Sequence, residues 1–81
     1  MLLEIKKFLE DSRAKGLLKC SYISYGNDSV SISESFDSPV VVFDLNKNVY
    51  IYNQGTKTCL KEQITQIQAL RLLSVLFLKD V

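Results

Sequence analysis

Eighty-one residues are enough for one domain, and a domain of that size buries only about 60–65% of the surface its unfolded chain exposes, so its stability is modest. Hydrophobic residues at 47% and charged residues at 23% exclude a disordered or low-complexity chain. The net charge of +1 gives no general attraction to nucleic acid or to an acidic membrane surface.

Residues 2–14 read as a first helix. Leu2, Ile5 and Leu9, with Phe8 beside them, repeat at helical spacing, and Glu4, Lys6, Lys7, Glu10, Asp11 and Arg13 spread over the rest of the surface. Lys6 with Glu10 and Lys7 with Asp11 are candidate ion pairs one turn apart. Gly16 supplies the stop. The polar face carries mixed charge, so the apolar stripe is expected to face a sheet of the same chain and not a membrane.

Residues 17–25 and 29–36 read as a hairpin. In the second strand Val30, Ile32 and Phe36 alternate with Ser29, Ser31, Ser33 and Ser35, so one face is buried and the other is wet or shared. A two-residue Gly26-Asn27 turn pairs Ile23 with Val30, Lys19 with Glu34 and Leu17 with Phe36. A three-residue turn instead brings Leu18, Cys20 and Tyr22 to the buried face.

Asp37-Ser38-Pro39 is a turn, and 40–45 with 49–53 form a second hairpin around Asn46-Lys47-Asn48. A three-residue loop places Leu45 opposite Val49 and Phe43 opposite Ile51, with Val41 beyond them on the core face. Val40, Val42 and Asp44 then share the other face with Tyr50 and Tyr52. Gln54-Gly55 ends the strand, and Thr56 or Thr58 caps a last helix over 58–81. On that helix Leu60, Ile64, Ile67 and Leu78 form the stripe expected on the sheet, while Leu70, Leu73, Leu76 and Phe77 fall on the flanks and back. An alternative for 74–81 is a fifth strand.

These elements predict a single α+β domain over 1–81. It is a two-layer sandwich, a four-stranded antiparallel meander with the N-terminal and C-terminal helices packed on one face. Two surfaces are then left to interact. The open sheet face offers Tyr22, Val40, Val42, Tyr50 and Tyr52, amphipathic aromatics and small apolar groups of the kind enriched in protein contacts. The back of the last helix offers Leu70, Leu73, Leu76 and Phe77 to a second copy, so a homodimer is expected.

No catalytic, metal-binding or cofactor-binding residues are expected. The chain has no histidine, no glycine-rich phosphate loop and no Gly-x-Ser-x-Gly elbow. Cys20 and Cys59 match no metal or redox spacing. Asp44 beside Tyr50 reads as surface decoration, and Cys59 reads as a small residue near the start of a helix. Charges interrupt the apolar residues of the N-terminus, unlike a signal or transit peptide. The apolar run of the tail is about half a membrane span and contains Arg71. The expectation is therefore a cytoplasmic protein with reduced thiols, no membrane partner and a protein partner.

The reading that follows is a small non-enzymatic protein-binding module. An adaptor, inhibitor or regulatory protein fits, as does a phage or plasmid accessory protein. The alternative is a nucleic-acid-binding module using the open face with Lys47, Lys57 and Lys61. The helix–strands–helix order is similar in topology to double-stranded-RNA-binding domains. The basic cluster of such domains is here reduced to Lys57 and Lys61, and the open face lies among acidic strands.

Overall fold

The computed structural model describes residues 1–19 and 22–79. Helix α1 (Leu2–Ala14) is followed by five strands, β1 (Tyr22–Tyr25), β2 (Ser29–Ser33), β3 (Val40–Asp44), β4 (Val49–Asn53) and β5 (Thr56–Lys61), and then by helix α2 (Gln66–Phe77). The strands form one antiparallel sheet in the order β1-β2-β3-β4-β5. The α+β meander stands, with five strands in place of four.

Helix α1 forms as its pattern requires. Ile5, Leu9 and Ser12 are buried along one stripe. Gly16 at φ +70° turns the chain out, with its N–H on the Arg13 carbonyl at 3.0 Å. The surface ion pair lies one turn later than expected, between Asp11 and Lys15 at 3.0 Å, while Lys6 reaches over the Tyr25 ring at 5.3 Å.

Both hairpin registers differ from the expected ones, each by two residues. In the first, Ile23 faces Ile32 and Tyr25 faces Val30. A two-residue turn would need positive φ at its central residues. Gly26, Asn27 and Asp28 have none, and the loop closes through the Gly26 N–H on the Ser29 carbonyl at 2.8 Å. In the second, Phe43 faces Val49 and Val41 faces Ile51. There the Asp44 carboxylate accepts the N–H groups of Asn46 and Asn48, each at 2.9 Å. This tight side-chain turn takes Leu45 out of the strand and leaves it 62% exposed. Slipping by two preserves the face of every side chain, so Val30, Ile32, Val41, Phe43 and Val49 are buried as expected, while Leu45 and Phe36 are exposed.

The expected helix over 58–81 is the main correction. Gln54 and Gly55, at φ +50° and +82°, are the central residues of a two-residue hairpin loop, and Asn53 pairs with Thr56 across it. Positive φ at both positions matches a type I′ turn, which returns the chain as a strand instead of releasing it into a helix. Leu60 and Cys59 therefore lie in β5, and neither Thr56 nor Thr58 caps a helix. Thr65 does: its Oγ1 accepts the Gln68 N–H at 3.2 Å, and Gln68 Oε1 accepts the Thr65 N–H at 3.1 Å. This reciprocal box, with buried Ile64 before it and buried Ala69 after it, fixes where α2 starts.

Helix α2 also turns a different side to the sheet. Ala69, Leu73 and Phe77 are its buried stripe, whereas Ile67, expected in the core, is exposed. At Leu78 the backbone is extended and bridges Leu18. The Lys19 N–H donates to the Phe77 carbonyl at 2.7 Å and the Lys79 N–H to the Leu17 carbonyl at 2.8 Å. The end of α2 is thus tied to the connection between α1 and β1, and residues 17–19 pair there and not in the sheet. Residues 80 and 81, part of the alternative fifth strand over 74–81, lie outside the described residues, as does Cys20.

The core is one layer between the helices and the sheet. Ile5 and Leu9 meet Val30, Ile32, Val41, Phe43 and Val49, with Ile64, Ala69, Leu73 and Phe77 closing the far side. Among the described residues no helix is long and apolar enough to cross a membrane.

The registers make a direct prediction. Phe43→Ala should cost about 3–5 kcal/mol in urea unfolding, and Leu45→Ala no more than about 0.5 kcal/mol. A larger loss at Leu45 would restore the three-residue loop.

Candidate functional site

The face of the sheet away from the helices is a continuous surface, set by strand alternation. On β3 the odd positions Val41 and Phe43 enter the core, which turns Val40, Val42 and Asp44 outward. On β4 Val49 enters the core and half-buried Ile51 lies on the same side, which turns Tyr50 and Tyr52 outward. The registers then align two rows across all five strands. One runs Tyr22, Ser33, Val40, Tyr52, Lys57, and the other runs Ser24, Ser31, Val42, Tyr50, Cys59.

Four of the five residues expected on this face form its centre. Val40 lies directly opposite Tyr52 and Val42 opposite Tyr50, cross-strand aliphatic–aromatic pairs of a kind that contributes about 0.2–1 kcal/mol each. Tyr22 is in the same row but separated from Val40 by Ser33. Its ring stands edge-on to Phe36 at 6.4 Å between centroids. Phe36 itself, expected in the buried face of β2, is 84% exposed in the loop after that strand. Ser33 donates its hydroxyl to the Ser35 carbonyl, and Ser35 and Ser38 hydroxyls lie 2.8 Å apart, so the serine row helps to shape this loop.

Lys57 completes the centre. Its Nζ sits 4.1 Å from the Tyr50 ring centroid and 5.7 Å from that of Tyr52. The ammonium is attracted to the negative faces of both rings while remaining in water. Asn48 donates its side-chain N–H to the Tyr50 hydroxyl at 3.3 Å, which orients the far end of that ring. Asp44 is occupied in its turn and plays no part with Tyr50. Cys59, opposite Tyr50, is an exposed free thiol in a strand and not at a helix N-terminus.

The other expected sites are not assembled in the same way. Leu73 and Phe77 are in the core, Leu73 at 0% exposure, so they have no surface to offer a second chain. Leu70 is half-buried against that core, and Leu76 lines a small cleft with Pro39, Val41 and Ile51. Lys47, Lys57 and Lys61 are not brought together. Lys47 is in the β3–β4 turn, Lys57 is on the open face, and Lys61 pairs with Val49 on the helix side. Among the described residues no group of three or more Cys, Asp or Glu is placed to hold a metal ion. Sequence reasoning missed Lys57 as a member of the tyrosine cluster because it placed residue 57 beyond the sheet. The Gln54-Gly55 pair was the available signal.

No protein-family model matches the chain, and no curated protein or solved structure shows significant similarity to it.

Lys57→Ala should lower stability by about 0.5–1 kcal/mol in urea unfolding, with Lys57→Arg retaining most of the wild-type value. An unchanged midpoint in Lys57→Ala would show that the ammonium contributes nothing over the rings.

Proposed function

We propose that this chain is a small non-enzymatic protein-binding module of the cytoplasm that works through the open face of its sheet. The observation that carries this reading is the Val40–Tyr52 and Val42–Tyr50 block with Lys57 laid over it. It is a compact patch of rigid rings, small aliphatic groups and one cation, held on a sheet and therefore pre-organised. Tyrosine buries large area at low entropy cost and keeps a hydroxyl to satisfy, which makes such a patch suited to a protein partner. The cation, the tyrosine hydroxyls and the flanking Ser31 favour a partner surface that combines apolar groups with carbonyl or carboxylate oxygens.

The alternative of nucleic acid as the ligand has less behind it. Phosphate binding relies on several basic side chains acting together. On this face Lys57 stands between aromatic rings without Lys47 or Lys61 beside it. Self-association through Leu70, Leu73, Leu76 and Phe77 is not part of the proposal, because two of those four side chains form the interior of the monomer.

Affinity capture from native lysate, run in parallel with wild type and a Tyr50→Ser, Tyr52→Ser double variant of verified fold, tests this function. A partner retained by wild type and lost by the variant is the expected outcome. Identical partner sets would remove the open face as the binding surface. Capture dominated by RNA and abolished by raising the salt would transfer the function to nucleic acid.

A further inference from the structure

The opposite side of the sheet is incompletely covered. Helices α1 and α2 lie over it, yet every residue of β5 is exposed, including Thr56 and Thr58, which share the helix side with Ile51. The result is a trough of about 470 Å³ between the end of β5 and the flank of α2. Leu60 and Lys61 line it from β5, Ile64 from the connection before α2, and Gln68, Leu72 and Val75 from the helix itself at helical spacing. Val75 is 77% exposed. A β-bulge beside Val49 and Tyr50 leaves Leu60 as the extra residue of β5, and Leu60 is among the residues that line the trough.

We propose that this trough is the docking site for an acidic amphipathic helix of a partner protein. Shape and charge both lead to that occupant. A third helix beside α2, at the usual interaxial distance of about 8–10 Å, would cover the strand that two helices leave bare. Gln68, Leu72 and Val75 are a ridge of one helix with no facing helix, running about 10 Å or roughly two turns. The charged side chains lining the trough are Lys61 and Arg71, both exposed and neither in an ion pair among the described residues. Glutamates or aspartates flanking the apolar stripe of an incoming helix would meet them at the rim.

The same charges disfavour a second copy of this chain. A two-fold contact through the trough would bring two Lys61 and two Arg71 side chains into one interface. A strand added to the free edge of β5 would leave Leu72 and Val75 unfilled. The trough is small beside a stable interface, so the contact belongs with weak, reversible ones of micromolar dissociation constant. It lies on the other side of the sheet from Tyr50 and Tyr52, and the two sites are therefore separable.

Fluorescence anisotropy with three labelled peptides of roughly 16 residues tests the proposal. One carries leucines at i, i+3, i+4 and i+7 flanked by glutamates. The second has lysines in place of the glutamates, and the third places the same residues in strict alternation. The glutamate helix should bind the wild-type protein about ten-fold or more tightly than either of the others, and more weakly as salt rises. Val75→Asp and Arg71→Glu, both at exposed positions and checked for retained circular dichroism, should each weaken it by about ten-fold. The Tyr50→Ser, Tyr52→Ser variant should bind it as wild type does. The proposal is overturned by absent binding, by equal affinity for the lysine peptide, by preference for the alternating one, or by indifference to Val75→Asp. It is overturned equally if light scattering shows a dimer of the protein alone that Val75→Asp dissociates.

Discussion

Coverage of the sheet is the constraint on which the rest of this fold depends. Five strands at about 4.8 Å spacing make a layer that two helices, each about 10 Å across, cannot fully roof. The chain answers by seating α1 on β2 and α2 beside it, burying a single layer that includes Ile5, Leu9, Ile32, Phe43 and Leu73. Everything at the β5 margin is left outside that layer. The trough beside α2 and the exposure of β5 are two consequences of one shortage of covering surface. Among the described residues no further element lies there, and an edge strand in that position is a surface open to others.

The open face has a different origin. It is bare because both helices lie on the other side; β2 contributes Ser31 and Ser33 to it, and Lys57 lies over Tyr50. Its geometry rests on the same registers that build the core. Phe43 opposite Val49 within the core requires Val42 opposite Tyr50 outside it. A change that slid β3 against β4 would therefore disturb the interior and the tyrosine block together.

Much of this was legible in the sequence, and the failures have identifiable causes. Alternation in β2, β3 and β4 assigned the faces correctly, because a two-residue slip leaves inward and outward residues unchanged. It could not supply the registers, which were decided by turn chemistry: the Asp44 carboxylate gathering two backbone N–H groups, and a Gly26–Ser29 closure without positive φ. The fifth strand escapes the sequence reading because Gln54-Gly55 reads as a strand end as well as a hairpin turn, and positive φ at both residues makes it the turn. Read as an end, it carries Leu60 and Cys59 into a helix and rotates the expected buried stripe away from Ala69, Leu73 and Phe77. The Thr65-x-x-Gln68 box was present in the sequence and marks the true start. Apolar periodicity alone misled here, since a helix with Leu70, Leu72, Leu73, Val75, Leu76 and Phe77 is greasy on most sides and its buried direction is chosen by where it begins.

The central claim is that 56–61 is an edge strand left uncovered by either helix, and residue-resolved amide hydrogen exchange of the free protein tests it most directly. Amides of β2, β3 and β4 should be protected to near the global unfolding free energy. In β5 protection should alternate, with amides bonded to β4 slowed and their neighbours exchanging close to the unprotected rate. Uniform protection across 58–61 that continues without a break into 66–77 would mean one long helix and would contradict the account.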